Sequence, residues 1–169
     1  MALFFNKILF VVLIPTLLLG CTANIGGTLL QNQDNQTVVL NFHIQYADDV
    51  KKKLTLTLKN LTTFESQQKG LMFIEALPTN TGVILSYQSE HERSIWMRNM
   101  LIPIDAIFLN KHHQITAIYE QLSPCLKNKN CPIYSSKQTQ FIIELPAGLV
   151  KKHRINRLNT TLVSWIQNH

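Results

Sequence analysis

The chain has 169 residues, 46% of them hydrophobic and 15% charged, and 16 Lys and Arg against 10 Asp and Glu give it a formal charge of +6. This length supports one domain with a real core and is too short to expect two. The positive charge falls in small clusters, Lys51 to Lys53, Lys127 with Lys129, and Lys151, Lys152 and Arg154, without interleaved aromatics. That pattern disfavours nucleic acid and leaves a solvated surface that could face anionic headgroups or simply keep the protein soluble.

At the N-terminus, Lys7 precedes the apolar run Ile8 to Leu19, then Gly20 and Cys21. A basic residue, a short apolar core and a small residue before the cleavage point are the parts of a secretory signal. Twelve helical residues reach about 18 Å against the roughly 30 Å of a bilayer's hydrocarbon, too short for a comfortable span. An uncleaved anchor beginning at Leu3 is weakened by Asn6, Lys7 and Pro15. Leu18-Leu19-Gly20-Cys21 resembles the lipobox of bacterial lipoproteins, which implies removal of residues 1–20 and acylation of Cys21. Two or more acyl chains hold a protein on a bilayer where one does not. The bilayer is therefore an expected partner through Cys21. Thr22 after the cysteine favours an outer membrane, facing the periplasm, if the host has two membranes. The processed chain would lose Lys7 and carry a charge of +5.

Residues 21–37 are rich in Gly, Asn, Gln and Thr and read as a tether, leaving 38–169 as a single domain. Val38, Leu40, Phe42, Ile44 and Tyr46 alternate with wetter residues, and Leu54, Leu56 and Leu58 alternate with threonines, both with strand period. ADDVKKK between them suits a hairpin connection. Thr62 and Glu65 have capping-box spacing, predicting a short helix to about Lys69 with Gly70 as its left-handed stop. GVILSYQ, RSIWM, IDAIFLN, ITAIYEQ and QFIIELP read as five further strands, AGLVKKHRI as a second short helix and TTLVSWI as a closing strand. The expected class is α+β: a compact, mostly antiparallel sheet, or a partly closed barrel, with two short helices.

With Cys21 assigned to lipid, Cys125 and Cys131 remain as an even pair in the polar stretch SPCLKNKNCP. In an oxidising compartment such a pair reads as a disulfide. A redox dithiol more often has C-x-x-C spacing, and no histidine flanks the pair at metal-ligand distance, so both alternatives rank lower. No metal site and no cofactor are expected. Phosphate-loop, nucleophile-elbow and zinc-helix signatures are all absent.

The densest chemistry is WMRNMLIPID, residues 96–105, preceded by Gly70-Leu71-Met72 and followed by FIIELPAG at 141–148. Trp96 offers an aromatic face, Met97 and Met100 adaptable thioethers with Met72 upstream, Arg98 a planar fork for anions, and Asn99 both a donor and an acceptor. Together with Asp105 these residues could line a small ligand pocket. Each also has a plain structural reading: Trp96 in the core, Arg98 paired with Asp105 or Glu144, and Asn99 in a turn. Asp105 and Glu144 are the candidates for an acid and base pair, though a lone carboxylate beside an apolar strand more often staples backbone groups.

GLM, then LP and G, then WMRN-x-LIPID-x-x-F, a cysteine loop and ELPAG together resemble the DUF192 family, also called UPF0127, over about residues 54–163. The resemblance implies a compact strand-rich domain, often exported, with no established reaction. The family often carries arginines where this chain has Gln67 and Ile74, and its Asn-Thr pair is Asn99-Met100 here. Arg93 and Arg98 are the cations left for an anionic ligand. Three functions follow: a non-enzymatic envelope lipoprotein binding a small ligand or envelope component, which is favoured; an envelope hydrolase or lyase using Asp105 and Glu144; and an assembly factor that recognises a protein partner.

Overall fold

The computed structural model describes residues 34–46, 51–125 and 130–167. The expected signal peptide, Cys21, most of the tether and the tip of the first hairpin lie outside them. Along the chain run β1 (Thr37–Gln45), β2 (Lys51–Leu61), α1 (Phe64–Lys69), β3 (Thr81–Trp96), β4 (Ile104–Leu109), β5 (Ile115–Leu122), β6 (Ile133–Pro146), α2 (Leu149–His153) and β7 (Thr160–Gln167). The strands form one sheet in the order β5-β4-β6-β3-β2-β1-β7. All neighbours pair antiparallel except β2 and β3, which are parallel and joined through α1. The class is therefore α+β, with a mostly antiparallel sheet and two short helices among the described residues.

The sheet does not close into a barrel, since β5 and β7 remain its two edges. Side chains nevertheless reach between the ends. Arg157 Nε donates to the Ile115 carbonyl at 3.1 Å. The ring of His113 packs against Phe141 and Trp165, at 5.1 and 5.4 Å between centroids.

Strand alternation sorts the apolar residues into two cores, one on each face. Val38, Leu40, Phe42 and Ile44 of β1 and Leu54, Leu56 and Leu58 of β2 join Ile143 and Leu145 of β6 and Leu149 and Val150 of α2. On the other face Val83 and Leu85 of β3, Ala106 and Phe108 of β4 and Ile142 of β6 pack with Leu61, Leu71 and Met97. Every residue of β4 is buried, as expected of a strand covered on both faces.

Three local differences from the sequence reading have physical causes. GVILSYQ and RSIW belong to one 16-residue strand, with Met97 just beyond its end. The intervening Glu-His-Glu stretch lacks apolar periodicity, yet His91 pairs with Thr139 and Arg93 with Ser136 across register shifts. The partner strand β6 accordingly begins at Ile133, ahead of the apolar QFIIELP. At α1 the N-cap is Thr63, one residue later than the Thr62 pattern. Ser66 N donates to Thr63 Oγ1 and Thr63 N to Ser66 Oγ, each at 3.2 Å, while the Thr62 amide is taken by the Asp34 carboxylate at 2.7 Å. Gly70 ends the helix at φ 46°, ψ −125°, which is not the ordinary left-handed conformation but a region open essentially to glycine.

Candidate functional site

Between α1, the turn after it and the paired strands β3 and β6 lies a cavity of about 450 Å³. The spacing of α1 turns Phe64, Gln67 and Gln68 onto one side, three and four residues apart. Strand β3 contributes Tyr87, Arg93 and Trp96, and β6 contributes Ile133 and Glu144. Gly70, Leu71 and Met72 close the remaining wall. A β-carbon at Gly70 would stand 2.9 Å from Glu144 Oε2, so the glycine lets the turn lie directly on the carboxylate.

Glu144 is the chemical centre of this cavity. It is paired with Ala106 in the ladder and shares that residue's face of the sheet, and it is only 6% exposed. The Leu71 amide donates to it, but Oε2 has no hydrogen-bond partner. Burial outweighs the single amide and pushes the carboxyl up to about 7. An unpartnered buried acceptor is costly in a folded chain, and such atoms concentrate where a ligand or solvent completes them. Elsewhere in the lining the Arg93 guanidinium stacks over the Tyr87 ring at 4.1 Å and donates through Nη2 to the Ser89 carbonyl at 3.2 Å, leaving its own Nε buried without a partner. Burial raises the Tyr87 phenol, with Arg93 opposing and Glu144 adding to the effect. Gln67 spends its amide on the Leu61 and Ser86 carbonyls at 3.2 and 2.7 Å, so it shapes the wall from a fixed position.

Of the residues singled out in the sequence, Met72, Arg93, Trp96, Met100 and Glu144 line the cavity, with Gln67 and Gly70. Met97, adjacent to Trp96 and pointing to the opposite face, is fully buried in the core. Arg98 lies outside the lining, its guanidinium 5.2 Å from the Trp96 ring centroid. Asn99 takes a turn conformation at φ 59°, with Nδ2 3.8 Å from the Met72 sulfur and its carbonyl accepting from Phe73 N at 3.0 Å. It therefore supports the wall without lining it. Cys125 and Cys131 form a disulfide, and Cys125 N donates to the Met97 carbonyl at 2.9 Å, which ties the cysteine loop to the tryptophan segment.

Asp105 is not brought to the cavity. It opposes Leu145, one residue on from Glu144, and so belongs to the other face of the sheet. Its oxygens accept from Gln121 N and Val150 N, both at 2.8 Å, the latter in the first turn of α2. Asp105 and Glu144 thus do not share a site, and Arg98 pairs with neither. Among the lining residues that sequence reasoning passed over, which include Phe64 and Ile133, is Tyr87. It sits in an apolar strand run, and only its separation of six from Arg93 along one extended strand could have flagged it. Among the described residues no three His, Cys, Asp or Glu side chains gather at metal-ligating distance.

Comparison with solved structures finds the same fold, for example in two similar proteins. A protein from Sinorhizobium meliloti 1021, provisionally described as a transcription regulator, aligns with a TM-score of 0.62 at 20% identity over 73% of this chain and 93% of its own. A protein of unknown function from Novosphingobium aromaticivorans DSM 12444 aligns with a TM-score of 0.62 at 20% identity over 75% of this chain and 85% of its own. At that identity the likeness concerns the fold alone. No curated protein matches the sequence. The DUF192 family model, described as an uncharacterized ACR, matches residues 46–160, from the end of β1 to the start of β7. Spanning well over half the sequence and both walls of the cavity, that match establishes that this chain belongs to the DUF192 family.

Proposed function

We propose that this protein is an exported, lipid-anchored envelope protein whose domain binds a small ligand in the cavity beneath α1, without covalent chemistry. One observation carries the binding reading: a buried carboxyl oxygen with no partner, Glu144 Oε2, faces a cavity walled by Trp96, Tyr87 and Phe64. A ligand suited to it carries a hydroxyl or ammonium donor for Glu144 and a flat or apolar face for the aromatic rings. Pockets of this size with few convergent polar groups are the usual form of small-ligand sites.

The separation of Asp105 from Glu144 leaves one carboxyl at the cavity and removes support for a two-carboxylate hydrolase or lyase. Export and anchoring rest on Lys7, the apolar run and Cys21, and a disulfide between Cys125 and Cys131 is in keeping with an oxidising compartment. Two experiments test the reading. Thermal-shift screening of the full chain against envelope sugars, amines and cell-wall fragments is expected to give hits that Trp96→Ala and Glu144→Gln abolish. Identical responses from all three proteins would remove the cavity as the site. Metabolic labelling with a fatty-acid analogue is expected to mark the wild type and to fail for Cys21→Ser, whereas equal labelling would contradict anchoring at that thiol.

A further inference from the structure

The mouth of the cavity carries a second kind of surface. Phe64, Trp96 and Ile133, which ring it, are 78%, 40% and 70% exposed. Trp96 and Ile133 are direct partners across β3 and β6, so their side chains form one continuous apolar edge facing Phe64. Large aromatic and aliphatic residues clustered in solvent mark a contact surface, where scattered ones would need no explanation. Cations flank this edge. Lys69 lines the mouth and Arg98 stacks on Trp96, while the acidic residues near α1 in sequence, Glu65 and Glu75, do not line it. An indole beside a guanidinium, with aliphatic neighbours, is the side-chain set that settles at a membrane interface.

The point at which the N-terminal segment joins the domain agrees. The Asp34 carboxylate accepts from Thr62 N, Thr63 N and Ser66 Oγ at 2.7, 3.2 and 2.6 Å, pinning the chain to the N-terminal turn of α1 beside Phe64. The sequence before that point holds the apolar run Ile8 to Leu19 and Cys21. Twelve residues lie between Cys21 and Asp34, a reach of at most about 45 Å, so a lipid on Cys21 would tether the domain through its α1 end. We infer that the rim formed by Phe64, Trp96 and Ile133 rests on a phospholipid surface, with Arg98 and Lys69 among its headgroups, so that the cavity opens at the bilayer. This contact does not require the cavity to hold a ligand.

The test uses the full chain in phosphatidylcholine and phosphatidylglycerol vesicles. Trp165→Phe leaves Trp96 as the sole indole, since the chain has two tryptophans. Lipids brominated on their acyl chains are expected to quench Trp96 and ordinary lipids to shift its emission to the blue. Phe64→Ser with Ile133→Ser is expected to lose most of the quenching, and so is Arg98→Glu, which changes an exposed charge and leaves the core intact. Trp96 emission that is identical in brominated, ordinary and lipid-free samples would overturn the inference, as would quenching indifferent to all of these substitutions. Crosslinking of the rim to an envelope protein, with Trp96 unquenched, would also overturn it and assign the surface to a protein partner. Quenching in ligand-free vesicles and ligand binding in detergent are separate readouts, so either idea can fail without the other.

Discussion

At Glu144 the apolar surroundings oppose ionisation and only the Leu71 amide favours it, which sets the carboxyl near 7 against 4.5 for the free group. Between those two pH values the folded protein holds a proton that the unfolded chain has released. Stability is therefore fully present below about 4.5, declines as pH rises toward 7 and levels off above it, with a total of roughly 3 kcal/mol at stake. Denaturant unfolding at pH 5 and pH 8 is expected to show this loss in the wild type and a much smaller difference in Glu144→Gln. An undiminished difference in the variant would assign the pH dependence to other groups. Asp105 makes the opposite case of a buried carboxylate with both oxygens engaged by backbone amides. Asp105→Ala orphans two amides and is expected to cost roughly 3 kcal/mol or more in the same assay, with ligand responses unchanged in protein that remains folded. The sequence supplied the right residue types here but not their sides. Glu144 and Asp105 look alike as carboxylates beside apolar strands, and only the register, which sets Glu144 opposite Ala106 and Asp105 opposite Leu145, assigns one to a cavity and the other to a helix start.

Among the elements, β3 and β6 carry the site, and their closest approach depends on Gly82. A β-carbon at Gly82 would overlap the Glu144 carbonyl oxygen, so Gly82→Ala forces the two strands apart. Thermal melts are expected to show destabilisation at the upper end of the roughly 1–3 kcal/mol typical of overpacking, together with a disturbed Glu144 titration. The disulfide acts on a neighbouring element. Replacing Cys125 and Cys131 together by serine is expected to cost about 2 kcal/mol and to loosen the Met97 to Asn99 segment, since Cys125 N bonds the Met97 carbonyl. Unchanged stability and unchanged Trp96 emission would show that the staple is dispensable. Strands with clean alternation, such as Val38 to Ile44 and Leu54 to Leu58, were legible because one face of each is wet. The middle of β3 was not, because its pairing with β6 runs through polar residues whose hydrogen bonds leave no mark on hydropathy. The Thr62 capping pattern misled by one residue because a distant carboxylate, Asp34, had claimed the Thr62 amide.

For the whole molecule, an open sheet with a core on each face leaves the cavity at one end, beside α1, where the chain leading from the N-terminus joins the domain. The tryptophan motif pointed to this end, since Trp96 and Met72 line the cavity. Arg93, flagged in the sequence as a cation, lines it too, whereas Tyr87 lies six residues away along the same strand and Ile133 is brought opposite Trp96 by a strand pairing that no local pattern encodes. If the proposed ligand supplies the donor that Glu144 lacks, it stays bound when the protein is extracted. Native mass spectrometry of the full chain, extracted in mild detergent from the cells that make it, tests this most directly. The account predicts a reproducible small-molecule adduct on the wild type that is absent from Trp96→Ala and Glu144→Gln. Spectra from all three proteins that differ only by the substituted side chains would contradict it.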